Sequence, residues 1–470
     1  MLPDEVLLSI FELYTVATQR LSMFKFPTKW EAESWQPLVH VCRRWRTIVF
    51  GSPRRLKLRI ACTSRTPVRD ALDIWPALPL VIVDSVCRIE GLDDIIAALK
   101  HRDRVDEIYL GSVSSLHLAR ISATLQEPFP EMKFLCLHSY EQDVERMPVL
   151  PDSFLGGSAP HLRDLQLDRI RFSGLPNLLL SATHLTRLDL RNIPHSGYVS
   201  PKSILIALST LTTLESLSLH FRSPQSHRDW ESRCPPVLTR SVFPVLTMLT
   251  FMGISEHLDD LVAHIDAPQL HRLDIILFNQ IIFHTPQFIR FISRTPTLKF
   301  ERGHIGFDQQ HRTARIQLSS KTSSYGVLYM GIRCSEFDWQ VSSLEQVVNS
   351  CLPSLSMLED LYIYERLNAY GVWGDNFDNT LWLELIQPFT AVKNLYLSRD
   401  LAPRIALALQ ELVGAGPTEV LPTLQNIFLE GFKSLKSAPE GIRQFSVARK
   451  VANHPITVSL WKNTRMDKTY

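Results

Sequence analysis

The chain has 470 residues, 45% hydrophobic and 21% charged, which supports a large core and excludes broad disorder. Fifty Lys/Arg against 48 Asp/Glu leave a net charge of +2, without the cationic excess of a dedicated nucleic-acid binder, so no nucleic-acid partner is expected. No apolar run reaches the roughly 18 residues of a membrane helix, so no membrane partner is expected either. The opening MLPDEVLL carries early acids and no basic lead-in, unlike a secretory signal. The seven cysteines are scattered without a C-x-x-C pair, and no N-x-S/T acceptor occurs. A reducing compartment, cytoplasmic and/or nuclear, is expected.

Residues 1–60 hold ten Lys/Arg against five Asp/Glu. The sequence changes texture at Gly51-Ser52-Pro53, which sets a first domain at 1–52 and a second at 53–470. Leu2-Pro3-Asp4-Glu5 reads as a helix start, with proline at an early position and acids at the positive end of the dipole. Leu7, Ile10, Phe11 and Tyr14 follow as one stripe, and Val6 and Leu13 widen it until the helix is apolar on two sides. After a spacer, SMFKFPTKWEAES, a second helix is expected from Trp35 to Phe50, with Leu38, Val41, Cys42, Trp45, Ile48 and Val49 as its stripe.

LPDEVLLSIFELY followed by WQPLVHVCRRWRTIVFGSPRRLKLRI resembles an F-box, in the texture of fungal F-box-like proteins, over about the first 50 residues. The resemblance implies that these helices dock a Skp-type adaptor and, through it, a cullin scaffold. Leu2, Pro3, Val6, Leu7, Ile10 and Phe11 would supply the adaptor contact. The alternative is a helical cap that shields the first repeat of a stand-alone scaffold.

Beyond residue 60 one phrase recurs, apolar residues at i, i+3 and i+5. It appears at Val105, Met132, Leu162, Leu185, Leu214, Leu246 and Leu270, then at Leu358, Val392 and Leu424. This is the leucine-rich repeat phrase near its usual period of about 20–29 residues. Helical patterns fill the gaps, among them Gly91–Lys100, Pro201–Ser209, His257–Asp266, Pro286–Ser293, Ser343–Cys351, Thr380–Ile386 and Pro403–Val413. The expected fold class is α/β, a short N-terminal helical F-box followed by a leucine-rich repeat solenoid with a parallel sheet and outer helices. Ile170, Ile193 and Ile254 stand where a repeat asparagine or cysteine would, so apolar packing is expected to hold those turns. From about 300 to 341 the phrase lapses. Strands at Arg315–Ser319 and Gly326–Cys334 suggest an irregular insertion or hairpin-like strands there.

No P-loop, G-x-G-x-x-G or G-x-S-x-G occurs, and no catalytic residue, metal ligand or cofactor is assigned. His101-Arg102-Asp103 lacks the rest of a kinase set, and Asp375–Asn379 lacks a calcium loop's alternating ligands. His304 and His311 would share a face only on a helix, which Gly303 and Gly306 oppose. The basic run Arg43, Arg44, Arg46, Arg54 and Arg55 reads as a solvated helix face. By strand alternation the residues between the phrase leucines share the opposite, concave face. Early rows there are charged: Asp164, Gln166 and Asp168, Arg187, Asp189 and Arg191, Arg272 and Asp274. Late rows are aromatic, and Tyr362, Tyr364, Tyr396 and Phe428 are the expected contact for a substrate protein. The competing readings are that aromatics simply suit strands, or that the C-terminal chain folds back over them.

Overall fold

The structure, a computed structural model, describes residues 2–20, 33–64, 72–75, 77–84, 91–143, 146–193, 206–222, 240–280, 283, 285–308, 312–321, 326–334, 337–352, 355–365 and 379–462. The chain divides into two compact units, Met1–Arg222 and Ser223–Tyr470. The segment expected as a separate helical domain at 1–52 is part of the first unit.

Unit 1 begins with α1 (Asp4–Arg20). Leu7, Phe11 and Thr15 are buried on its inner side, and the Phe11 ring packs 4.7 Å from that of Trp45. The helix expected over Trp35–Phe50 is instead two, α2 (Gln36–Val39) and α3 (Arg43–Gly51). Cys42 is extended (φ −160°, ψ 168°), and its Sγ accepts the Trp45 N–H at 3.4 Å as the N-cap of α3. Arg46 Nε donates to the Val39 carbonyl at 3.1 Å, occupying an acceptor that a continuous helix would have used. The break leaves Val41 and Cys42 exposed, off the stripe assigned to them.

These helices close the edge of the first strand, β1 (Ile60–Cys62). The Ile60 N–H bonds to Pro79, so the backbone groups of Arg59 and Ala61 point away from the sheet. Trp35 Nε1 donates to the Arg59 carbonyl at 2.8 Å. Glu33 Oε1 accepts the Ala61 N–H at 3.0 Å, while Gln36 Nε2 holds Glu33 Oε2 at 2.9 Å. The Trp35 ring lies 5.8 Å from Phe50 and 5.1 Å from Trp75. An edge strand is thus plugged by a buried carboxylate and an indole.

From β1 the sheet of unit 1 runs parallel and in chain order through β2 (Leu80–Asp84), β3 (Val105–Val113), β4 (Phe134–Ser139), β5 (Asp164–Asp168), β6 (Arg187–Ile193) and β7 (Ser216–Phe221). Helices α4 (Leu92–Leu99), α5 (Ser115–Thr124) and α6 (Leu175–Ser181) fill connections between strands. Register places Leu165 beside Leu188 and Leu188 beside Leu217, all fully buried, each burial worth about 1.5–3 kcal/mol. Ser112, Arg169 and Asn192 adopt positive φ (51°, 58° and 51°) just before Val113, Ile170 and Ile193. The backbone turn that starts the return path is therefore left-handed. Ile170 and Ile254 are buried as expected, and Ile193 is half-buried.

Unit 2 contains β8 (Met248–Gly253), α7 (Ser255–Ala263), β9 (Arg272–Phe278), α8 (Pro286–Arg294), β10 (Arg302–Asp308), β11 (Thr313–Ser319), β12 (Val327–Arg333), α9 (Phe337–Cys351) and β13 (Asp360–Glu365). It continues with α10 (Thr380–Ile386), β14 (Asn394–Leu397), α11 (Ala402–Ala415), β15 (Asn426–Glu430), α12 (Glu440–Val451) and β16 (Thr457–Trp461). All ten phrases in the two units fall on or run into strands. The spatial order is β8-β9-β12-β11-β10-β13-β14-β15-β16. The irregular segment is a three-stranded meander in which β11 alone runs antiparallel to its neighbours. Outer strands β12 and β10 keep parallel pairing with β9 and β13. The connection from β12 to β13 contains α9, which packs on β11 and β12 and whose expected start at Ser343 is Phe337 in the structure. The first half of the helix expected at 201–209, most of the 22–34 spacer, most of Asp375–Asn379, and His311 lie outside the described residues.

Replacing Glu33 by leucine leaves the outward Ala61 N–H buried without an acceptor. The expected loss is about 1–3 kcal/mol in denaturant unfolding of the full chain, and an unchanged midpoint would refute the plug.

Candidate functional site

Two surfaces hold the residues singled out from sequence. The first is the outer side of α1. Leu2 (52% exposed), Val6 (42%), Ile10 (46%), Leu13 (71%) and Tyr14 (40%) face solvent. Pro3 is exposed beside them. Leu7 and Phe11, expected in the same contact, are turned inward, because a residue one position from Val6 or Ile10 lies about 100° around the helix. The basic residues fasten this helix in place. Arg44 donates to Asp4 Oδ1 (2.9 Å from Nε) and to the Leu2 carbonyl (2.5 Å), and Arg55 donates to Glu12 (3.1 Å) and Ser9 (3.3 Å). The cationic face expected to be merely solvated is thus partly spent on α1, through exposed pairs worth about 0–1 kcal/mol each.

The second surface is the face of the unit 2 sheet opposite the buried leucines. Register aligns His304, Tyr362, Tyr396 and Phe428 across β10, β13, β14 and β15. Their rings stack in sequence: His304 on Tyr362 at 4.3 Å and 5°, Tyr362 on Tyr396 at 4.1 Å and 8°, Tyr396 on Phe428 at 4.6 Å and 12°. Two residues earlier on each strand lies a polar row. Asn394 Nδ2 donates to Asp360 Oδ1 at 2.7 Å, and Asn426 Nδ2 donates to Asn394 Oδ1 at 2.8 Å. Arg302 closes it, 3.4 Å from the second Asp360 oxygen. At the strand starts Lys321 and Lys393 both bond Glu359, holding its carboxyl down to about 2.

Three of the four expected substrate residues are therefore members of one ladder. Tyr364 sits on the same face one step up, its ring over Gly306, where an added Cβ would fall 2.9 Å from the ring. The ladder rings spend their faces on one another. They present C–H edges and two tyrosine hydroxyls, which have a raised pKa chiefly through burial. Trp461 of β16 leans across them, 5.1 Å from Tyr396 and 5.8 Å from Tyr362 at 63° and 55°. That indole belongs to a strand added to the sheet in chain order; residues 463–470, to which the competing reading of a covering C-terminal chain also refers, lie outside the described residues. The place of His304 and Trp461 beside these rings does not follow from the sequence, because neither sits in a repeat phrase.

The charged rows largely neutralise themselves. Asp189 is buried and gripped by both guanidinium arms of Arg191, at 2.8 and 2.7 Å, with Arg187 at 3.6 Å. Asp168 accepts from Asn192 at 2.7 Å and lies 3.3 Å from His138 Nε2. Burial lifts Asp164 to about 6. Arg272 reaches Asp274 at 3.3 Å and lies over the Tyr329 ring. Nor are the early rows only charged, since Tyr109 and Phe134 stack at 4.1 Å on the same face.

Among the described residues no cluster of three or more His, Cys, Asp or Glu could hold a metal ion, and no helix is long and apolar enough to cross a membrane. Comparison with protein-family models and with curated proteins finds no match to this sequence.

Burial pushes His304 down from 6.5 to about 4, with Arg302 adding to the effect and Asp360 opposing it. Below pH 6.5 the unfolded chain takes up a proton that the folded chain refuses until about pH 4. This group's share of stability is thus complete above pH 6.5 and lost as pH falls toward 4. His304→Phe, which keeps the stack, is expected to flatten that limb of the urea-midpoint profile. One step up from the ladder, Gly306→Ala is expected to cost about 1–3 kcal/mol by overpacking against the Tyr364 ring, and Tyr364→Ala in the same chain to recover part of it.

Proposed function

We propose that this protein is the substrate-recognition subunit of an SCF-type ubiquitin ligase. The N-terminal helices dock a Skp-type adaptor and through it a cullin scaffold, and the strand array holds the substrate protein. On this reading the chain contributes proximity and orientation to ubiquitin transfer and subsequent degradation, with no catalytic residue of its own. The observation that carries it is the division of α1 into two apolar sides. Phe11 and Leu7 are consumed by the protein's own core, while Leu2, Val6, Ile10, Leu13 and Tyr14 are left outward as a stripe that a partner can bury. The F-box resemblance assigns that partner. The ladder face, with Tyr364 and Trp461 above it, is the proposed substrate surface.

A second reading, a stand-alone leucine-rich repeat scaffold with an N-terminal cap, is favoured by the plugging of β1 by Glu33 and Trp35. Capping alone does not account for the outward stripe.

The two separate on one experiment. Val6→Asp with Ile10→Asp leaves the inward residues untouched, so the circular-dichroism melting curve is expected to stay in place. Recovery of a stoichiometric adaptor in affinity purification is expected to be lost. Adaptor recovery that survives the double change would move the contact off this stripe, and an unmodified chain that recovers none would leave only the scaffold. For the substrate face, Trp461→Ala is expected to reduce the proteins recovered under proteasome inhibition without reducing the adaptor.

A further inference from the structure

The chain treats two of its strand edges in opposite ways. At β1 two outward backbone groups are plugged, the Arg59 carbonyl by Trp35 and the Ala61 N–H by Glu33. At β16 the Thr457 N–H bonds inward to Gln425. By alternation the N–H and C=O groups of Val458 and Leu460 point outward, and among the described residues no strand pairs with that edge. The side chains around it are apolar and uncovered. Leu460 is 42% exposed, and on the adjoining α12 Val447 is 64% and Val451 80% exposed. The strand carries no charge from Thr457 to Trp461 and no bulge, and Pro455 and Lys462 stand just outside it.

We propose that β16 pairs antiparallel with β16 of a second copy of this chain, forming a two-fold dimer. The sequence Thr-Val-Ser-Leu-Trp is self-complementary in that arrangement. With the axis on Ser459, Val458 lies opposite Leu460 of the second copy, and Leu460 opposite its Val458. Both are residues whose backbone groups already point outward, so each pair closes two hydrogen bonds while Ser459 meets its own copy as a non-bonded pair. No like charges face each other within the strand. A copy's β1 is barred from this place by Trp35 and Glu33, which already bond its Arg59 carbonyl and Ala61 N–H, so the contact is isologous and closes at two. An axis normal to the sheet keeps both ladder faces on the same side of the joined sheet.

Sedimentation equilibrium of the full chain over a concentration series is expected to give a dimer. Val458→Pro removes an outward N–H and no bond within the chain's own sheet. Leu460→Lys puts charge into the apolar pair. Each is expected to give a monomer with an unchanged melting curve. Ser459→Cys in a background with Cys42→Ser, Cys87→Ser and Cys234→Ser is expected to form a covalent dimer on mild oxidation, since opposite non-bonded residues stand about 4.5 Å apart at Cα. A monomer at every concentration would overturn the proposal. So would a dimer untouched by both Val458→Pro and Leu460→Lys. A monomer whose Val458 and Leu460 amides resist hydrogen exchange would overturn it as well, and assign the edge to residues 463–470.

Discussion

Parallel pairing in register is the constraint on which the rest of this structure depends. When each strand lies beside the next with the same residues level, every side chain stacks on the residue one repeat away. Like therefore meets like. Leucines form a continuous interior row, asparagines hand one amide to the next, and aromatic rings pile face on face. Charges cannot follow this rule without repulsion. In unit 1 they pair along the strand instead, Asp189 with Arg191, or alternate across it, Asp164 beside Arg187 and Asp168 beside Arg191. The polar surface of the sheet is largely committed to its own neighbours, and what remains for a partner is what rises above the rows.

The same rule explains what could be read from sequence. The phrase positions fix strands because the interior leucine row tolerates little else, and all ten lie on or run into strands. Tyr362, Tyr396 and Phe428 could be placed on one face by alternation alone. Their stacking could not, because it requires knowing which strands are adjacent. β10 escaped notice for a related reason. Its core row holds Gly303, Ile305 and Phe307 in alternation, and Gly306 exists for the ring of Tyr364, a residue far along the chain. The second helix was read as continuous because its apolar spacing runs on past His40. The backbone of Cys42 ends it, and periodicity carries no record of a cap.

The N-terminal helices combine two tasks that a sequence reading sets in opposition. Their inner side seals an edge strand through Glu33 and Trp35, and their outer side keeps an apolar stripe in solvent. On the proposed reading, capping and docking are two faces of one small module. An adaptor seated on α1 would then be linked to the strand array through Phe11, Trp45 and the Trp35 cluster, with buried side chains in place of a loose tether.

The meander gives the growing polypeptide an unusual order of events. In a regular array each strand leaving the ribosome finds its neighbour already made, so the sheet lengthens one repeat at a time. Here β9 is followed by β10, yet its partner is β12, which is synthesised two strands later. Until Val327–Arg333 has emerged, β9 holds an open hydrogen-bonding edge and β10 has no place beside it. Elongation of the sheet must pause, then accept three strands together. The nascent chain is most exposed to mispairing at this point, and synonymous changes that alter translation speed between residues 279 and 333 would act on it without altering a single side chain.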